Sequence, residues 1–263
     1  MPSLQLPGGE LYYEVEGDGI PVVLVHGFAL DARLWDEQMP ALADVATVVR
    51  YDARGFGRST RDADTPYSHA GDLWLLLDHL GIDSAVLVGL SMGGRTVVEA
   101  TLAAPDRVRA LVLLDALLEG VPWDPDSENG FREVGRGLRI GGLDAARAAL
   151  LRHGFFAPAR RDPEVARRIA EMVGGYSGVN WTSPDPHLPH PSSIELLETI
   201  AAPTTVIVGE LDVPCFLEMS RVLADRIPNA RRVTVQDVGH MVNMEAPEEV
   251  NAQLREIVLA AGL

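Results

Sequence analysis

Residues 88–97 read VGLSMGGRTV, with Ser91 held between Gly89 and Gly93. An apolar run precedes this serine and a segment with helical spacing follows it. A hydroxyl in that setting is either an ordinary turn residue or a group presented at the tip of a sharp bend. The glycines favour the bend, because a turn that tight brings backbone segments together where side chains do not fit. The G-x-S-x-G spacing between a strand and a helix is that of a nucleophile elbow. It would raise the serine oxygen above a sheet edge and aim the next helix's first N–H groups at developing negative charge.

Working outward, PVVLVHG, ATVVRYD, SAVLVGL and RVRALVLLDALL are short apolar runs of the kind that parallel sheets bury on both faces. LYYEVE alternates like an early, exposed strand. Between the runs lie helix patterns: ARLWDEQMPALAD, interrupted by Pro40; HAGDLWLLLDHLGI, ending at Gly81; and MGGRTVVEATLAAP, stopped before Pro105. Alternation of this sort predicts an α/β fold with a mostly parallel central sheet flanked by helices.

The pattern changes at about Leu117, where VPWDPDSENG opens a run of helical segments, FREVGRGLR, LDAARAALLRHGF and PEVARRIAEMVGG, with no strand between them. These read as a helical lid inserted after the sixth strand. The proline-dense TSPDPHLPHP returns the chain to two further strand patterns, PTTVIVGELD and ARRVTVQDVGH, and the last helix is expected from Pro247 to Ala260. The expected organisation is a core domain in two parts, residues 1–116 and 196–263, with the lid over 117–195.

Composition narrows the function classes. The 263 residues carry 22 Lys+Arg against 38 Asp+Glu, a net charge of −16, which repels phosphate backbones and anionic lipid, so no nucleic acid and no membrane partner is expected. No apolar run reaches the roughly 18 residues a bilayer span needs. One cysteine, Cys215, and an opening MPSLQLPGGE without a basic, apolar leader fit a reducing cytoplasm.

Ser91 is a poor nucleophile alone and needs a base, which in turn needs an acid partner to fix its tautomer. His240, in VQDVGHMVNMEAPE, follows the last strand pattern, and Asp212, in GELDVP, follows the one before. Both should stand at the C-terminal edge of the sheet with Ser91. Asp115, which ends LVLLD, is a second candidate for the acid. The N–H groups of Met92 and of Phe28, in VHGFAL, are the candidate oxyanion donors. His26 is expected to order the oxyanion loop, and Asp52, Arg54 and Arg58 to tie down a turn. Asp185, His187 and His190 in PDPHLPH read as a surface connector, so neither a metal nor another cofactor is expected. Cys215 reads as a buried or pocket-lining thiol. Trp123, Phe156 and Trp181, with Phe155 and Tyr176, are aromatic residues of the lid that either shape a substrate pocket or pack lid on core.

In this order VHGF, YDARGFGRS, GLSMGG, GELD and VGHMVNMEAPE resemble the α/β-hydrolase superfamily across nearly the whole chain. The likeness is greatest to its small bacterial esterase, enol-lactonase and cofactor-free perhydrolase branches, matched at Tyr51–Ser59 and Gly89–Gly94. It implies Ser91, Asp212 and His240 as triad and Phe28 and Met92 as oxyanion donors, but does not transfer a substrate. The intact triad itself points to acyl transfer, with a small-molecule ester or lactone as the expected substrate. Perhydrolase, lyase or ligand-sensing activity stays open. Dehalogenase or epoxide hydrolase chemistry is disfavoured, since those enzymes usually carry aspartate where this chain has Ser91.

Overall fold

The computed structural model describes residues 2–188 and 193–262. Its strands are β1 (Ser3–Leu6), β2 (Gly9–Glu16), β3 (Ile20–Val25), β4 (Ala46–Tyr51), β5 (Thr60–Arg61), β6 (Ala85–Leu90), β7 (Val108–Leu114), β8 (Thr204–Gly209) and β9 (Arg231–Val235). They form one sheet in the order β1-β2-β4-β3-β6-β7-β8-β9, with the two-residue β5 pairing on β2. From β4 to β9 every pairing is parallel, whereas β2 runs antiparallel to β1, β4 and β5. Every residue of β6 and β8 is buried, which is why those runs show no apolar–polar alternation. β2 departs from the expected exposed strand: Leu11, Tyr12 and Tyr13 are buried in succession, so both faces of the strand are covered there, and it is paired with β1 and β4.

The helices are α1 (Gln38–Leu42), α2 (His69–His79), α3 (Met92–Ala103), α4 (Pro125–Leu151), α5 (Pro163–Gly175), α6 (Val179–Thr182), α7 (Ser193–Leu196), α8 (Pro214–Arg226), α9 (Val242–Glu245) and α10 (Pro247–Ala260). α3 packs on β6, β7 and α2; α8 packs on β8 and β9; α10 packs on α1, β3 and β7. The segment around Pro40 is broken as its sequence suggests, into a 3₁₀ turn at Ala32–Trp35 and the short α1. Two of the helical segments expected after Leu117 are one element, α4, bent at Gly142, whose φ of 70° is open to glycine and strained for other residues. The helical insertion follows β7, the seventh strand in chain order once β5 is counted. No helix among the described residues is long and apolar enough to cross a membrane.

Strand order reverses direction at β3, with β4 on one side and β6 on the other. The loops leaving β3 and β6 therefore part above the sheet, and open α/β sheets bind ligands in the crevice at such a switch point. Gly27 and Phe28 follow β3, and Ser91 follows β6.

Candidate active site

Ser91 lies between β6 and α3 with φ 55° and ψ −116°, a conformation that an L-residue holds only under local strain. Backbone bonds maintain it: its N–H donates to the Leu114 carbonyl at 3.0 Å, and its own carbonyl accepts from Leu117 at 3.0 Å and Arg95 at 3.2 Å. The glycines make the bend possible. A Cβ at Gly93 would stand 2.0 Å from the Val25 carbonyl oxygen, and one at Gly89 would stand 2.2 Å from the Gly93 oxygen. Both clashes are with backbone, which cannot rotate aside. Met92 opens α3, so the positive end of that helix faces the crevice.

The loop after β3 is held from below by His26, which is fully buried. Its Nε2 accepts from the Ala53 N–H at 2.9 Å, so Nδ1 carries the proton and donates to the Gly27 carbonyl at 2.8 Å. Among the described residues, neither the Phe28 nor the Met92 N–H donates to a backbone carbonyl, which leaves both for an anionic oxygen. Asp52 fastens the neighbouring turn by accepting from Ala32 and Arg58 N–H groups, each at 2.7 Å. Arg54 makes a two-pronged bond to Asp72 at 2.7 and 2.8 Å.

His240 and Asp212 meet across the ends of β9 and β8: Nδ1 and Oδ2 are 2.9 Å apart, and both side chains are almost wholly buried. The second Asp212 oxygen accepts from the Val213 N–H at 2.7 Å. Nδ1 being engaged, Nε2 is the nitrogen left to serve a hydroxyl. The ring lies between Phe155 and Phe216, at centroid distances of 4.8 and 4.3 Å. Glu245 fixes the loop on both sides of the histidine, accepting from Gly239 at 3.0 Å and Met241 at 3.1 Å. Sequence reasoning missed Phe216 and Glu245; a carboxylate four residues past the N-cap Met241 of α9, in reach of its N–H, was the available signal for the latter. Asp115 is also buried here, but its Oδ1 accepts from the Gly209 N–H at 2.9 Å, and Asp212 holds the imidazole.

These groups border a cavity of about 520 Å³, within the usual range for a small-molecule site. Ser91, His240, Phe28 and Met92 all line it, together with Trp123, Phe156 and Trp181. One end is aromatic, where Trp123, Phe131, Phe155 and Phe216 pack edge to face beside His240. The other end carries His69, Arg95, Asn180, Asp185 and His187. Burial drives the His69 imidazole well below its ordinary range and lowers that of His187, so both are neutral near pH 7. The PDPHLPH stretch is therefore more than the expected surface connector. Asp185 accepts from Tyr67 Oη at 2.9 Å and Asn180 Nδ2 at 2.8 Å, which draws it and His187 onto the cavity wall; His190 falls outside the described residues. Tyr176 is buried against Phe56. Cys215 is buried, its thiol pushed up to about 11 by burial, and it is not among the lining residues.

The model of the family described as alpha/beta hydrolase fold matches residues 20–247. A protein of Azorhizobium caulinodans whose provisional name is carbamate hydrolase RutD is 32% identical, over 97% of each chain. An esterase structure from Thermogutta terrifontis superposes with a TM-score of 0.81 at 30% identity, covering 100% of both chains. The enol-lactonase of Burkholderia xenovorans LB400 gives 0.81 at 27% identity, covering 98% of this chain and 100% of its own. The chain belongs to the alpha/beta hydrolase fold family and is a hydrolase of that fold.

Proposed function

We propose that the protein cleaves a small carboxylic ester or lactone through an acyl-enzyme intermediate on Ser91. The observation that carries this reading is the shared cavity: a serine on a strained strand-to-helix turn faces the same space as an imidazole whose Nδ1 is bound to a buried carboxylate. His240 Nε2 takes the Ser91 proton as the oxygen attacks the carbonyl carbon, and the Asp212 carboxylate stabilises the imidazolium. The Phe28 and Met92 N–H groups hold the tetrahedral oxyanion. Collapse expels the alcohol, which takes the proton from His240. Water, deprotonated by the same nitrogen, then attacks the acyl carbon and releases the acid and the free serine.

Support for an acyl compound of modest size comes from the largely apolar lining and from the esterase and lactonase among the similar structures. The test is a panel of p-nitrophenyl esters and lactones of graded acyl length, assayed with wild type and Ser91→Ala. The variant should fold with unchanged circular dichroism and lose at least about a thousandfold in kcat/KM. Wild-type rates in Ser91→Ala would rule this serine out as nucleophile.

A further inference from the structure

Asp115 is fully buried at the end of β7, with φ 41°. One oxygen is satisfied by Gly209; the other, Oδ2, is buried and has no hydrogen-bond partner when the group is written as a carboxylate. Among the described residues no cationic side chain pairs with it. One carboxylate oxygen each of Asp115 and Asp212 and one ring nitrogen of His240 lie within 4.8 Å of one another, and Glu245 is a further acidic group that acts on Asp115. His240 is the one basic group of that cluster, and its Nδ1 proton is given to Asp212. Two carboxyl groups sharing a dry wall cannot both ionise. Of the two, Asp212 has donors on both oxygens, from Val213 and His240, whereas Asp115 has one donor in all.

We propose that Asp115 is a neutral carboxylic acid that donates its O–H to the Asp212 carboxylate, acting as a positioning residue for the Asp212–His240 pair. This rests on the reading of Ser91, His240 and Asp212 given above. The proton turns the orphaned Oδ2 into a donor, pins the Asp212 rotamer and spreads its charge over a second carboxyl. Burial, followed by the Asp212 charge, holds the Asp115 carboxyl well above the usual carboxylate range, the direction this arrangement requires. Asp115 does not touch the reacting atoms; it acts through Asp212.

The test compares wild type, Asp115→Asn, Asp115→Leu and Asp212→Asn in kcat/KM against pH on a p-nitrophenyl ester. An amide N–H replaces the acid O–H, so Asp115→Asn should leave the acid limb of the profile unmoved and recover most of the turnover lost in Asp115→Leu. The leucine variant removes the donor, leaving Asp212 a stronger partner for the imidazolium. Its acid limb should move to higher pH, and kcat should fall about ten- to a hundredfold with KM changed less. At neutral pH the infrared difference spectrum, wild type minus Asp115→Asn, should contain the carbonyl stretch of a protonated carboxyl. Absence of that band, or an acid limb shifted downward in Asp115→Asn, would mean an ionised Asp115 and overturn the proposal. Should the leucine variant not fold, the asparagine variant and the spectrum still decide. Retained turnover in Asp212→Asn would overturn the triad reading and the proposal with it, whereas loss there beside a missing carboxyl band overturns the proposal alone.

Discussion

Two buried carboxyl groups, Asp115 and Asp212, and the half-buried Glu245 stand around His240, and each meets a different set of donors. Their chemistry is divided by those contacts and not by residue type. Glu245, raised by burial, answers two backbone N–H groups; Asp212 answers His240; Asp115 is left to keep its proton. The raised Asp115 carboxyl has a consequence for stability. The folded state binds a proton that the unfolded chain releases above 3.8, so stability is fully present below that pH and falls as pH rises toward the folded-state value. Relative to Asp115→Asn, which cannot titrate, the wild type should lose about 1.4 kcal/mol per pH unit in that window. Urea unfolding of both proteins at pH 4 to 7 measures this. A constant difference would show that Asp115 titrates alike in the two states.

At the level of elements, the elbow is a contact between β6, α3 and the end of β3. Gly93 lies in the first turn of the helix under the Val25 and His26 carbonyl oxygens, where a Cβ would sit 2.0 and 2.8 Å away. Neither carbonyl can move without disturbing the Gly27–Phe28 loop, which His26 anchors through Ala53. Gly93→Ala should therefore lose more than Ala's better helix propensity returns, by roughly 2 kcal/mol or more. Any protein that folds should show reduced kcat, because the Phe28 N–H shifts with the loop. Thermal unfolding and single-turnover acylation read the two effects separately. An alanine variant with wild-type Tm and kcat would refute the close approach.

For the whole molecule, the N-terminal strands are fastened to the parallel core through Arg54. Its guanidinium holds Asp72 of α2 and the Pro7 carbonyl at 2.7 Å, so three distant segments share one buried cation. Arg54→Met would leave Asp72 buried without a counter-charge, at a cost of about 3–5 kcal/mol. Arg54→Met combined with Asp72→Leu should recover much of that, since removing both charges also removes their desolvation. Denaturant titration of the single and double variants completes the cycle. Equal stability of the two variants would mean that Asp72 finds water or another partner.

The periodicity of the chain determined its sheet, its helices and the boundaries of several elements, because burial on both faces of parallel strands and glycine or proline at helix ends leave local marks. The final helix runs Pro247–Ala260 as expected, α2 stops just before Gly81, and the segment interrupted by Pro40 breaks at 36–37, which leaves the proline in the first turn of α1, where no backbone donor is needed. The order Ser91, Asp212, His240 was legible for the same reason: each follows a strand pattern and so stands at one edge. Asp212 and Asp115, however, both end strands, and no local rule distinguishes them. Only the folded chain turns Asp212 toward Nδ1 and Asp115 toward the Gly209 N–H. The same holds for the PDPHLPH stretch and for Phe216, whose places on the cavity wall depend on Tyr67, 118 residues from Asp185, and on His240, 24 positions along the chain from Phe216. Spacing along a strand or helix is written locally, whereas which side chains meet across the crevice is settled by packing between segments that no short window of sequence contains.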